Sequence, residues 1–157
     1  MVDSHAFRAV LGRFSTGVTV VTTVDRRRRD HGMTVSSFAS VSLEPPLVLV
    51  CVGHSASMYA AMQRAEHFTV NILSEGQEAL ARRFAEPGPN RFAGIGYGRG
   101  KNGIALLDDV LGHIECEIVA RHEAGDHDII IGAVEVAVAN EGKPLLYYRG
   151  GYAQLER

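Results

Sequence analysis

The sequence predicts a mainly β fold, an antiparallel sheet that closes into a barrel with a few peripheral helices. Three observations carry that expectation. Several β-branched or apolar stretches are joined by short polar turns. No strand–helix–strand alternation runs through the chain, as a parallel sheet would require. After a glycine- and proline-rich stretch at 86–104, the remaining chain is again rich in strand formers. With 157 residues, no internal repeat and no linker, residues 1–157 are expected to form one domain.

The elements follow in order. Phe7, Val10, Leu11 and Phe14 recur at i, i+3, i+4, i+7, one face of a helix that Asp3 or Ser4 caps and Gly17 ends. Val18 to Val24 is β-branched throughout and reads as a strand. Arg26 to Gly32 is a polar turn. Leu47 to Val52 is continuously apolar, which predicts a strand buried on both faces. Met58, Ala61, Met62 and Ala65 form a short helical stripe. Phe68, Val70 and Ile72 alternate with His67, Thr69 and Asn71, the pattern of a half-buried strand. Ser74-Glu75-Gly76-Gln77 has the capping-box spacing and opens a helix through Phe84. Residues 86–104 read as a long loop, a length more often functional than idle. Ile114, Cys116 and Ile118 alternate inward; Ile129 to Val138 and Leu145 to Tyr148 follow, separated by a turn at Glu141-Gly142-Lys143.

Composition narrows the function. Hydrophobic residues make up 46% and charged residues 22% of the chain, enough for a full core and a wet surface. Sixteen basic residues face 18 acidic ones, so no nucleic-acid partner is expected. No apolar run approaches the roughly 18 residues that cross a bilayer, and the start lacks a signal-peptide pattern, so neither membrane nor export is expected. Cys51 and Cys116 sit in apolar alternation as small hydrophobes rather than a disulfide framework. The cytoplasm is the simplest compartment.

Two stretches stand out chemically. Met33-Thr34-Val35-Ser36-Ser37, with Ser40, Val41 and Ser42 following, is a hydroxyl-rich turn running toward a buried strand. Hydroxyls and turn N–H groups converging on one point suit a phosphate, although a Ser/Thr-rich strand edge has the same composition. Gly125-Asp126-His127-Asp128 is a turn leading straight into an apolar strand. It holds one imidazole at the mouth of a pocket, as a pH-active group, a nicotinamide contact or a solvated turn histidine. Together the two stretches suggest a site for a flat, phosphorylated cofactor.

Other patterns are weaker. The seven histidines include no HxxxH or HExxH and the cysteines no CxxC, so no metal site is expected. Gly98 to Gly103 matches GxGxxG but follows no strand and opens no helix, so it fails as a dinucleotide fingerprint. Arg26 to Arg29 meets a phosphate or is a self-repelling solvated tip. No GxSxG elbow supports a hydrolase.

The ordered segments resemble the flavin reductase-like family, the small NAD(P)H:flavin oxidoreductases of two-component monooxygenase systems. The resemblance covers nearly the whole chain. It runs from Phe7 and Phe14-Ser15-Thr16-Gly17-Val18-Thr19-Val20-Val21-Thr22 through Gly32 to Phe38, Ser40 to Val48, Phe68 to Ser74 and Arg83-Phe84-Ala85. It closes with Gly125 to Val134 and Pro144 to Tyr152. It implies an FMN-binding split barrel, a homodimer with flavin near the subunit interface, and hydride transfer from NADH or NADPH to FMN or FAD. Reduced flavin then serves a partner flavin-dependent monooxygenase; a non-catalytic flavin carrier or sensor is the alternative. The resemblance further implies that Met33 to Ser37 and Ser40, Val41 and Ser42 line the ribityl and phosphate groups. Cys51, Val52 and Gly53 would pass the ring edge, Ser57 and Arg83 would contact phosphate, His127 would face the nicotinamide and Tyr152 would stand close by. The chain departs from the family most at Arg26–Arg29 and in the 88–103 loop, which bears on dinucleotide preference.

Overall fold

A computed structural model describes residues 1–156. The chain is mainly β and its sheets are antiparallel. Helix α1 spans Ser4–Leu11, and Asp3 caps it by accepting from the Ala6 N–H at 2.8 Å. It stops three residues short of Phe14. Gly17, expected to end the helix, instead pairs through β1 (Thr16–Gly17) with Leu146 of a C-terminal strand. Propensity alone did not reveal that capture by a later strand.

Strands β2 (Thr19–Val24), β3 (Asp30–Val35), β4 (Phe38–Leu43) and β5 (Pro46–Gly53) come next. Helix α2 (Tyr59–Arg64), β6 (His67–Ile72) and helix α3 (Glu78–Ala85) follow. Then come β7 (Tyr97–Arg99), β8 (Ala105–Leu107), β9 (Gly112–Ala124), β10 (His127–Ala139), β11 (Leu145–Tyr148) and β12 (Gly151–Gln154). The main sheet has the order β3-β2-β6-β9-β10-β5-β4, and β1-β11-β12 form a smaller one. The hydroxyl-rich stretch read as a turn is thus two strands, β3 and β4, with only Ser36 and Ser37 between them. Because β3 and β4 are also the two edges of the seven-strand order, that short link forces the sheet to curl until its edges approach.

Burial explains where the strand expectations changed. β5 was expected to be buried on both faces, yet only Val48, Val50 and Val52 are fully buried; Leu47, Leu49, Cys51 and Gly53 on the opposite face are partly open. β6 shows the reverse: Thr69 and Asn71 are as buried as Phe68 and Val70. The cause is Asn71. Its amide donates to the Val20 carbonyl (2.9 Å) and Thr22 hydroxyl (3.2 Å) and accepts from the Leu107 N–H (2.9 Å), so β8 closes over that face. Thr22 and Thr23 of the doubly covered β2 likewise donate to the Ala105 and His67 carbonyls.

One core packs Val21, Val50, Phe68, Val70, Cys116 and Ile130 under Met58 and Met62, the expected α2 stripe. A second joins Val18, Val20 and Leu73 to Ala81 and Phe84 of α3 and to Leu107, Val110 and Leu145. The expected capping box is half made. Gln77 accepts from the Ser74 N–H at 2.9 Å, but the Ser74 hydroxyl donates to the Asp109 carbonyl and α3 starts at Glu78. The 86–104 stretch is partly ordered as strand: β7 pairs with β8, and the GxGxxG match is the turn of that hairpin. No helix among the described residues is long and apolar enough to cross a membrane.

Candidate active site

A hollow of about 450 Å³ opens where β3, the end of β5 and the start of β10 meet. Of the expected site residues, Met33, Thr34, Val35, Ser36, Ser37, Cys51, Gly53 and His127 line it. The fold brings them together by register. Gly53, the last residue of β5, stands opposite His127, the first of β10, and Val52 stands opposite Asp128. The β9–β10 hairpin turns through only Gly125 and Asp126, with Gly125 at φ +64°. A glycine at the first turn position matches a type II′ geometry and starts β10 at the histidine.

The polar groups are held in place. Asp126 accepts from His127 Nδ1 at 2.7 Å, and this contact holds the Asp126 carboxyl below its usual range. Nε2 is left for a ligand. A Cβ at Gly53 would come within 3.5 Å of His127 Nε2, so glycine leaves the backbone beside the imidazole open. Ser37 donates to the Cys51 carbonyl at 3.2 Å, tying the β3–β4 link to β5. Thr34 donates to the Ala81 carbonyl of α3 at 2.6 Å, so its proton serves the fold and only its lone pairs remain for a ligand.

Other expected residues stand apart. Ser40, Val41 and Ser42 lie on the edge strand β4, and Val52 is fully buried in the core. Ser57 lines a separate, larger cavity. Arg83 donates to the Ala93 carbonyl at 2.8 Å. Tyr152 packs edge-on against Tyr147 beneath the Arg82 guanidinium, on the small sheet rather than beside His127.

Sequence reasoning missed the segment after β5. His54, Ser55 and Ala56 line the hollow. The His54 backbone N–H donates to the Asp126 carbonyl at 2.9 Å, and Asp128 accepts from His54 Nε2 at 2.9 Å. The hollow therefore carries two imidazoles, each steadied by a carboxylate. Burial raises the neighbouring Tyr59 phenol, and Asp128 adds to that shift. The available signal was Gly53-His54-Ser55, a glycine–histidine–hydroxyl run directly after an apolar strand, the mirror of the turn that leads into β10.

This arrangement has no nucleophile paired with a base. It offers hydroxyls, open backbone and two oriented imidazoles around a flat opening, features that bind and orient rather than cleave.

Comparison with known proteins agrees. The family described as "Flavin reductase like domain" matches residues 11–156. The reductase subunit HsaB of a flavin-dependent monooxygenase from Rhodococcus jostii is 41% identical over 156 residues, 99% of this chain and 80% of that protein. The FMN reductase (NADH) SmoA of Agrobacterium fabrum is 41% identical over 155 residues, 99% of this chain and 88% of that protein. Among solved structures, the Streptomyces globisporus NADH:FAD oxidoreductase SgcE6, in complex with NAD and FAD fragments, superposes with a TM-score of 0.92. It is 38% identical, with 99% of this chain and 96% of that one covered. This chain belongs to the flavin reductase-like domain family.

Proposed function

We propose that this chain is an NAD(P)H:flavin oxidoreductase that reduces FMN or FAD and supplies the reduced flavin to a flavin-dependent monooxygenase. The observation that carries the reading is the His127 turn standing opposite the bare backbone of Gly53, with Ser36, Ser37 and Cys51 around the same hollow. A flavin fits that donor set, because its flat ring needs an edge free of side chains and its ribityl arm needs hydroxyl partners. The flavin, when bound, supplies the redox chemistry by accepting a hydride from reduced nicotinamide.

The chain's own residues bind and orient. Gly53 and Cys51 let the ring edge approach β5. Ser36 and Ser37 face the ribityl arm and its phosphate. His127, steadied by Asp126, presents Nε2 to the nicotinamide carboxamide and sets the distance between the two rings. No proton has to be moved at this site for a hydride to pass, so the two carboxylate-steadied imidazoles need only bind and orient. The curled seven-strand sheet reads as a split barrel, and residues 1–157 as its single domain. A homodimer in the cytoplasm is the assembly that fits the exposed apolar face of α1.

NADH and NADPH oxidation by the purified protein, with FMN or FAD added in turn, tests the reading. Flavin-dependent oxidation is expected. Flavin binding without oxidation would assign the chain to carriage or sensing, and no flavin binding would remove the assignment.

A further inference from the structure

Asp128 stands where an apolar residue belongs. It is the second residue of β10, and the buried row of that strand runs Asp128, Ile130, Gly132. Val52, in register with it on β5, is fully buried. Glu123, in register on β9, sets a like charge on the other flank, an unfavourable pairing. At 8% exposed, the Asp128 carboxylate is costly to hold unless it is partnered. The partner is His54, whose Nε2 donates to it at 2.9 Å. For stability alone, a well-packed apolar side chain would serve this row at least as well as that buried pair. Asp128 is not part of the wall of the hollow, whereas His54 is.

His54 is tied to both neighbours of His127. Its backbone N–H donates to the Asp126 carbonyl at 2.9 Å, one step beyond the last β5–β10 pair, Gly53 with His127. Its ring holds Asp128 on the far side. That ring is backed in turn by Tyr59, the first residue of α2, at 5.0 Å between centroids. The Tyr59 hydroxyl accepts from Gln63, one turn along the helix, at 2.7 Å. The Asp126 side chain, by contrast, is almost wholly in solvent. Its contact with His127 Nδ1 therefore orients the ring without anchoring the turn. The two bonds to His54 fasten the turn to β5 past the end of their ladder.

We propose that Asp128 and His54 are positioning residues for His127, fastening its two neighbours to the end of β5 and so fixing where Nε2 stands over Gly53. The inference rests on reading the hollow as the place where nicotinamide meets flavin. A histidine at the open end of a hairpin would otherwise sample several ring positions, and a small misplacement weakens the orientation of a bound ring.

Asp128→Val tests this, because it removes the tie and puts an apolar side chain in the buried row. Tm is expected to stay at the wild-type value or rise. Amide exchange at His54 in the flavin-free protein should quicken about fivefold or more, while exchange at Ile130 stays within about twofold. The KM for NADH should rise about fivefold or more, with flavin affinity within about twofold. A fall in Tm together with weaker flavin binding would make Asp128 a structural residue and overturn the proposal. An unchanged KM, or unchanged exchange at His54, would do the same. In a His127→Ala background the substitution should add nothing further to the KM; a further rise of similar size would mean that Asp128 acts elsewhere, and the proposal falls. Asp128→Asn keeps an accepting oxygen in the same shape and should hold the KM within about twofold of wild type; a loss equal to that of valine would count against the tie. Should Asp128→Val not fold, His54→Ala, at a side chain partly in solvent, carries the same expectations for the KM in both backgrounds, and a wild-type KM there would overturn the proposal. A protein that oxidises no NADH with either flavin would remove the reductase reading, and exchange at His54 would still decide the tie.

Discussion

His127 and the two cysteines carry the residue-scale expectations. Asp126 holds the His127 ring by Nδ1, and the ring stands over Gly53. Removing the imidazole should loosen the nicotinamide and leave the flavin's other contacts in place. His127→Ala is therefore expected to raise the KM for NADH about tenfold or more while flavin affinity stays within about twofold. Steady-state kinetics and a flavin titration check both, and an unchanged KM would take His127 out of the site. Cys51 lines the hollow and is partly open, whereas Cys116 is buried and its thiol is pushed up to about 12 by that burial. A raised thiol stays protonated and unreactive at neutral pH. A thiol reagent should thus modify Cys51 alone in the native protein, bound flavin should slow that reaction, and Cys116 should react only on unfolding. Equal labelling of Cys51 with and without flavin would place the ring elsewhere.

At the scale of elements, β6 shows how one side chain binds a hairpin to a sheet. Asn71 is fully buried and all its hydrogen bonds cross to other strands, one of them to the Leu107 N–H of β8. Asn71→Ala leaves that donor and the Val20 carbonyl without their partner in a dry setting, at about 1–3 kcal/mol for each unsatisfied group. A drop in Tm of several degrees is expected, with faster amide exchange at β8 than at β10. Exchange that rises uniformly across the sheet would mean that Asn71 holds the core and not the hairpin. The same bond explains why an alternating β6 pattern misread its exposure. Thr69 and Asn71 are polar, but β8 covers them, and that cover comes from 36 residues further along the chain.

For the whole molecule, the expected apolar stripe runs along α1 to Leu11, with Phe14 beyond the helix end, and it is exposed. Phe7, Val10, Leu11 and Phe14 are 55%, 69%, 50% and 74% exposed. An apolar stripe of this size at the surface marks an interaction face, and the homodimer is the assembly that would bury it. Sedimentation velocity should find a dimer in the wild type and a monomer in Val10→Asp/Phe14→Asp. A wild-type monomer would remove the dimer from the reading, and a dimeric double variant would move its interface off α1.

What was legible from sequence alone was whatever short-range pattern dictates. The β-branched runs became strands, Met58 and Met62 became a buried helical face, and a glycine turn placed His127 at the first position of β10. The hydroxyls at 34–37 and the histidine at 127 were both visible, each with a bland alternative beside it. Their meeting was a tertiary event: β5 lies between β4 and β10, so a register 74 residues apart sets Gly53 against His127. The same register set Asp128, part of the marked turn, against His54, which the sequence reading did not single out. It left Ser40 to Ser42, Arg83 and Tyr152 outside the hollow, because the edge position of β4, the backbone contact of Arg83 and the small-sheet position of Tyr152 are decided by long-range pairing. Periodicity and turn chemistry specify elements, since they act over a few residues. Only the strand order decides which element ends share a site.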